Sequence, residues 1–272
     1  MTAIGEGASS VTITHADSAA SVTMSWAAAT DVGHHRQDNE DSFVVAPPIF
    51  AVADGMGGHH AGDVASDAVV TALAAIDHET FTTTTAINAA LVAGVEALDA
   101  AITEEQRGAG TTVTGAGLIL EHNHLSWAVF NIGDSRVYMY EAGELTQVTV
   151  DHSVVQQLVD AGQITREEAD YHPHSNVITR AVGLAEEPIP DYFFVDVRSG
   201  TRLLLCSDGL TKELTDQGIA HFLSSTATAQ EAVDDLLKAA LGNSGRDNVT
   251  IVVIDVHGVN QPLITRSIST AQ

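Results

Sequence analysis

The sequence predicts an α+β fold in which antiparallel sheets are covered on the outside by helices. Two patterns point there. Short apolar runs recur along most of the chain, each bounded by Gly, Pro, Asn or Asp. The helical patterns are few and long, and they do not alternate regularly with the runs, as a parallel βαβ chain would require. Composition agrees: 44% of the 272 residues are hydrophobic and 17% charged, enough apolar material to bury a core and too much for a disordered chain.

Taken in order, the strand candidates are 22–29, 42–46, 49–53, 111–120, 125–132, 136–140, 192–197, 202–206 and 249–256. They are rich in Val, Ile, Leu and aromatics. The runs at 202–206 and 249–254 are continuous enough to be strands buried on both faces. Helices are expected over 63–76, 84–105 and 229–241. The second places Ile87, Leu91, Val95, Leu98 and Ile102 at spacings of three and four, an amphipathic stripe whose plain meaning is core packing. Residues 1–22 are small and polar and read as a flexible leader. The main domain is expected over 23–258, with a C-terminal tail at 259–272. Within it, 151–190 is polar, rich in His, Asp and Glu, and carries Pro173, Pro188 and Pro190. It reads as a loop-helix subdomain inserted on the surface.

Charge and cysteine use exclude several function classes. Thirty-six Asp and Glu stand against 11 Lys and Arg, a net charge of −25, which repels nucleic-acid phosphates and anionic lipids. No apolar run reaches the roughly 18 residues of a membrane span. A single cysteine, Cys206, excludes a disulfide framework and thiolate metal clusters. No secretory pattern opens the chain, so the expected location is cytoplasmic.

Four carboxylates stand apart by context. Asp54 ends the run 49–53 and opens Asp54-Gly55-Met56-Gly57-Gly58-His59. Asp134 follows Asn131-Ile132-Gly133. Asp208 follows the run 202–206 and precedes Gly209. Asp247 stands just before the last strand. Beside Gly or Asn, each can be simple turn chemistry, as Asp54-Gly55 and Asp208-Gly209 are on their face. Four carboxylates at the rims of apolar strands also need their charge compensated, and Asp-rich, cysteine-free sets suit hard cations such as Mg2+ or Mn2+. Arg36 lies among acids and histidines, where it can grip a phosphate or form a local salt bridge. Other templates fail. There is no phosphate-binding Gly-x-x-x-x-Gly-Lys loop, no Gly-x-Ser-x-Gly elbow, no Cys-x5-Arg loop and no His-Glu-x-x-His pair.

Six motifs in order then carry a resemblance. They are Thr30-Asp31-x-Gly33 with Arg36 and Asn39-Glu40-Asp41, Val52 to His59, Gly110-Thr111-Thr112, Asn131 to Arg136, Leu205 to Leu210, and Gly245 to Thr250. The chain resembles the metal-dependent PPM family of protein phosphatases (type 2C) in its bacterial form, across residues 30–255. The resemblance implies a four-layer αββα sandwich, two central antiparallel β-sheets flanked by helices, with 151–190 as the flap subdomain beside the active site. It implies two Mn2+ or Mg2+ ions, Asp54 bridging them and Gly55 offering its carbonyl. Asp208 and Asp247 complete the first ion's ligands, and Asp134 with Asp208 holds a third, weaker ion. Arg36 grips the phosphate, and Asp41 stands behind the ligands to hold water in the metal's shell. His59 is a candidate proton donor to the leaving oxygen. The implied reaction is hydrolysis of phosphoserine and phosphothreonine in proteins by direct attack of hydroxide bridging the ions. The implied partners are phosphorylated protein substrates of Ser/Thr kinases, with no nucleic acid and no membrane, and the expected state is a monomer. The competing readings are a phosphatase dedicated to one regulator, a silent metal- or partner-binding module, and another two-metal hydrolase such as a nuclease. The net charge argues against the nuclease.

Overall fold

Along the strand Ile49–Met56, Phe50 and Val52 turn into one apolar layer while Ile49, Ala51 and Ala53 turn into another. Leu203 and Leu205 likewise separate from Leu204 and Cys206, and Val252 and Ile254 from Val249, Ile251 and Val253. A strand whose alternate side chains are buried on both sides needs a packed layer on each side. That requirement sets the architecture.

The computed structural model describes residues 1–15, 18–57, 61–78, 81–106, 108–122, 124–169, 171–184 and 187–261. The chain begins with β1 (Ala3–Ile4), β2 (Ala8–Thr14), β3 (Ser21–Asp31), β4 (Asp41–Ala46) and β5 (Ile49–Met56), followed by α1 (Ala61–Ala74) and α2 (Thr84–Ala101). Next come β6 (Gly110–Thr111), β7 (Val113–Glu121), β8 (His124–Ile132), β9 (Arg136–Glu141) and β10 (Glu144–Gln147), then α3 (Val154–Asp160) and α4 (Arg166–Ala169). The last elements are β11 (Asp191–Asp196), β12 (Arg202–Cys206), α5 (Asp208–Thr211), α6 (Asp216–Ser225), α7 (Ala229–Asn243) and β13 (Val249–Asn260).

One sheet runs β1-β4-β5-β7-β8-β11, with β6 pairing β5, and the other β10-β9-β12-β13-β3-β2. All pairings are antiparallel except β1 with β4. The sheets stack through a central core in which Phe43, Phe50 and Trp127 of the first meet Trp26, Leu205 and Val252 of the second. Phe50 stands edge-on to Trp26 and to Trp127, with ring centroids 5.5 and 6.1 Å apart. Outside the first sheet, α1 and α2 contribute Val69, Leu73, Ile87 and Leu91. Outside the second, α5, α6 and α7 contribute Leu210, Ile219, Leu223, Val233 and Leu236. The four layers are those the sequence led us to expect. Helix starts are locally encoded: Thr83 accepts from the Ala86 amide, and Thr228 and Glu231 form a reciprocal capping box.

The largest departures from the sequence reading lie at three boundaries. Much of the segment expected as a flexible leader is strand: β1 lies beside β4, and β2 pairs with β3. Ile13 packs against the central core, and the Trp26 indole donates to the Glu6 carbonyl at 2.9 Å. Small polar composition hid an edge strand whose β-branched residues suit a half-buried surface. Strand β13 continues to Asn260, into the expected tail. Helix α2 ends at Ala101, where Ile102 turns to an extended backbone (φ −77°, ψ 145°), rather than continuing to Glu105. Among the described residues, no helix is long and apolar enough to cross a membrane.

The central aromatic contact predicts a specific cost. Phe50→Ala, at a fully buried position, should lower stability by about 3–5 kcal/mol in urea unfolding, and a loss below about 1 kcal/mol would refute its central place.

Candidate active site

The carboxylates gather at one end of the stacked sheets because the strands of both deliver their ends there. Asp41 opens β4 and lies directly opposite Asp54 on β5. Asp134 occupies the turn between β8 and β9, Asp208 begins α5 immediately after β12, and Asp247 precedes β13. Arg36, Asp54, Gly55, Asp134, Asp208 and Asp247 line one cleft of about 340 Å³. Asp41 is not in its lining and is fully buried, paired with Asp54 across the sheet. The structure thus brings together every site residue predicted from sequence except His59, which lies outside the described residues.

Local backbone needs explain much of the arrangement. A Cβ on Gly55 would stand 2.1 Å from the Gly62 carbonyl oxygen and 2.6 Å from that of Glu40, so only glycine lets α1 start against the end of β5. A Cβ on Gly209 would stand 1.9 Å from the Asn248 carbonyl oxygen. Asp-Gly at these two places is therefore close packing between backbones, beyond turn chemistry. Thr112 ties two of the loops together. It accepts from the Asp54 amide at 3.2 Å, donates its own amide to the Asp54 carbonyl at 2.9 Å, and meets the Ser135 hydroxyl at 2.8 Å. Asn248 holds the Arg36 loop, donating to the Val32 and Asp38 carbonyls and accepting from the Glu40 amide.

Asp41 is fully buried. Its Oδ2 accepts from Ser207 Oγ at 2.8 Å and Thr250 Oγ1 at 2.7 Å, while Oδ1 has no hydrogen-bond partner among the described residues. Burial, reinforced by the charges of Asp208 and Asp247 and opposed by those two hydroxyls, raises its pKa to about 7. Burial likewise raises Asp54 well above the usual range, helped by Asp41, Asp208 and Asp134. Asp134 is raised to about 7 by burial and then by Asp208 and Asp151. Asp247 moves the other way. Burial works to raise it, but Lys212 and Arg36 outweigh burial and hold it below its ordinary value.

Two cationic side chains reach these carboxylates. Arg36 Nη2 lies 2.8 Å from Asp247 Oδ1, with the arginine side chain 51% exposed. An ion pair that open to water is weak, so the guanidinium can turn toward a ligand at little cost. Lys212 Nζ lies 2.6 Å from Asp208 Oδ2 and 2.9 Å from Asp247 Oδ2. No group of three or more His, Cys, Asp or Glu among the described residues stands in metal-holding geometry. The donor chemistry nevertheless fits a hard cation. Every candidate ligand is an oxygen, the carboxylates far outnumber the cations beside them, and Asp41 Oδ1 and Asp208 Oδ1 are buried without partners.

Sequence reasoning gave no role to Glu40, Thr112, Lys212 or Asn248. Glu40 lines the cleft and is raised by burial and by Asp63. Glu40, Thr112 and Asn248 sit inside the recognised motifs, so position in the motif was the available signal. Lys212 lies four residues after Asp208 on a helix too short to show periodicity, and its only signal is that lysine occurs just twice in the chain.

Comparison with known proteins settles the family. The family described as Protein phosphatase 2C matches residues 27–243. The chain is 40% identical over 256 residues to the serine/threonine protein phosphatase PstP of Mycobacterium tuberculosis, covering 91% of this chain and 49% of that protein. It is 35% identical over 234 residues to the serine/threonine phosphatase stp of Listeria monocytogenes, covering 82% of this chain and 91% of that one. The crystal structure of the Mycobacterium tuberculosis phosphatase superposes with a TM-score of 0.78 at 40% identity, over 86% of this chain and 99% of the other. A second structure of the PstP catalytic domain, in complex with two manganese ions, matches with a TM-score of 0.78 at 39% identity, over 86% of this chain and 99% of the other. The chain belongs to the protein phosphatase 2C family. It spans about half the length of the mycobacterial relatives it matches.

The buried acids set a pH dependence of stability. A carboxyl raised from 3.8 to about 7 on folding favours the fold below pH 3.8, and that contribution is lost as pH climbs through 7. Replacing Asp41 by Asn removes the buried charge. In EDTA, the melting temperature of Asp41→Asn relative to wild type should therefore be higher at pH 8 than at pH 5.5. A pH-independent difference would refute the raised value.

Proposed function

We propose that this chain hydrolyses phosphoserine and phosphothreonine in proteins by direct attack of a hydroxide generated between two divalent metal ions. The observation that carries the reading is the convergence of Asp54, Asp134, Asp208, Asp247 and Arg36 on one cleft, with Asp41 buried opposite Asp54, in a chain of the protein phosphatase 2C family. The serine/threonine phosphatase names of the relatives and the two manganese ions of the PstP structure support it.

Asp54, the Gly55 carbonyl, Asp208 and Asp247 would hold the two ions between them, and Asp134 with Asp208 a third, weaker one. Bound Mn2+ or Mg2+ lowers the pKa of coordinated water so that hydroxide is available near neutral pH. The protein supplies the rest. Arg36 leaves its exposed pair with Asp247 to bind two phosphate oxygens, orienting phosphorus and absorbing charge that grows on the equatorial oxygens. Asp41 is fixed through Oδ2 by Ser207 and Thr250, which leaves Oδ1 as an acceptor that would hold water in the metal's shell. His59 or water supplies the proton that the leaving seryl or threonyl oxygen requires. A covalent phosphoenzyme is unnecessary, and Cys206 is unsuited to form one: it is fully buried, and burial pushes its thiol up to about 12.

On a phosphothreonine peptide, Mn2+ should support phosphate release, EDTA should abolish it, and Asp208→Asn should remove it at every metal concentration. Folded wild-type protein that binds Mn2+ yet releases no phosphate would favour the silent binding module instead. Arg36→Ala should lower kcat/KM by roughly 10- to 100-fold, as loss of one charged donor to the transferred group does. An unchanged kcat/KM would remove Arg36 from phosphate binding.

A further inference from the structure

The lysine in the cleft has no part in the chemistry just described, yet it occupies the most charged point in it. Lys212 is one of only two lysines in the chain. It stands at the end of α5, four residues after Asp208, with its side chain 28% exposed. Its ammonium bridges Asp208 at 2.6 Å and Asp247 at 2.9 Å, two carboxylates brought by different loops and 39 residues apart in the chain (247 − 208). Arg36 reaches one member of the pair, Asp247, at 2.8 Å from Oδ1 and 3.1 Å from the Oδ2 that Lys212 also contacts. The position between the two carboxylates belongs to Lys212 alone among the described cationic side chains.

We propose that Lys212 is a tethered counter-cation that holds the Asp208–Asp247 pair together and competes with a divalent ion for it. The inference rests on the metal-dependent reading of the site given above. Two carboxylates brought this close repel each other unless a cation lies between them, and a lysine ammonium is a compact point charge that can take that place. A divalent ion carries twice the charge and can draw on Asp54 as well, so it can displace the ammonium. The four-carbon stem lets the displaced head swing out without moving α5. Because ammonium and ion bind the same oxygens, each must weaken the other's hold by the same factor. Lys212 therefore makes the protein more stable without metal and the site less avid for it, setting a threshold of free metal below which the site stays closed.

The test is calorimetric titration of the whole chain with Mn2+, for wild type and for Lys212→Met, which keeps the stem and removes the charge. Lys212→Met should bind Mn2+ about tenfold more tightly or better, the gain expected when one charge-assisted contact no longer opposes binding. In EDTA it should melt below wild type, and saturating Mn2+ should close or reverse that gap. Equal or weaker Mn2+ binding by Lys212→Met overturns the proposal while leaving the metal site intact. Wild type that binds no Mn2+ overturns the metal reading, and this inference with it. Should Lys212→Met not fold, the wild type gives an independent answer. With lysine labelled at 13Cε, the only two signals are those of Lys212 and Lys238, and Lys238 is exposed on α7. Mg2+ should shift the Lys212 signal and leave that of Lys238 in place. If neither signal moves while Mg2+ binds, the ammonium is not displaced and the proposal fails.

Discussion

Mutual repulsion among five carboxylates at one end of two apolar sheets is the constraint on which the site depends. Placing anions there is costly in proportion to how well water is excluded, and the sheets exclude it well: Asp41 is fully buried, and burial is the largest influence raising Asp41, Asp54 and Asp134. The protein answers in three ways. Hydroxyls of Ser207 and Thr250 steady Asp41. Lys212 and Arg36 hold Asp247 below its ordinary value. The remaining excess is left in place, and on the reading proposed above it is what would attract hard cations.

The sheets matter to the site as a rigid mount. Asp41 and Asp54 are fixed opposite each other by the β4–β5 register, and a slip of one residue would send both to the wrong face. Asp208 begins α5, and the turns that carry Asp134 and Asp247 are short and each tied to a neighbour. Thr112 links Asp54 to the Asp134 turn, and Asn248 links the Asp247 turn to the Arg36 loop. The glycine at 55 lets a helix start against the end of a strand. Precision at the cleft is thus inherited from strand pairing and backbone contact, while Arg36 is half-exposed and lightly held.

Much of this was legible in the chain. Continuous apolar runs such as 202–206 and 249–254 were short enough to be buried strands, and the helices around Leu91 and Leu236 carried their own stripe. Asp54, Asp134, Asp208 and Asp247 were marked by position at strand ends, a local property. The edge strands β1 and β2 were not legible, because a short run of Thr, Ser and Ala becomes a strand only when an open sheet edge offers it partners.

The sequence by itself determined the α+β class with helices outside the sheets and the carboxylates at the strand ends, since apolar runs, helical stripes and their Gly and Asn neighbours are read over a few residues. Only the tertiary structure decided the charge balance. Asp41 meets Ser207 and Thr250 across 166 and 209 residues, Lys212 meets Asp247 across 35, and Arg36 meets it across 211. Electrostatic energy depends on distances in space and on the water excluded between charges. Neither is a function of position along the chain, so which cation answers which carboxylate appears only when the two sheets have closed on one another.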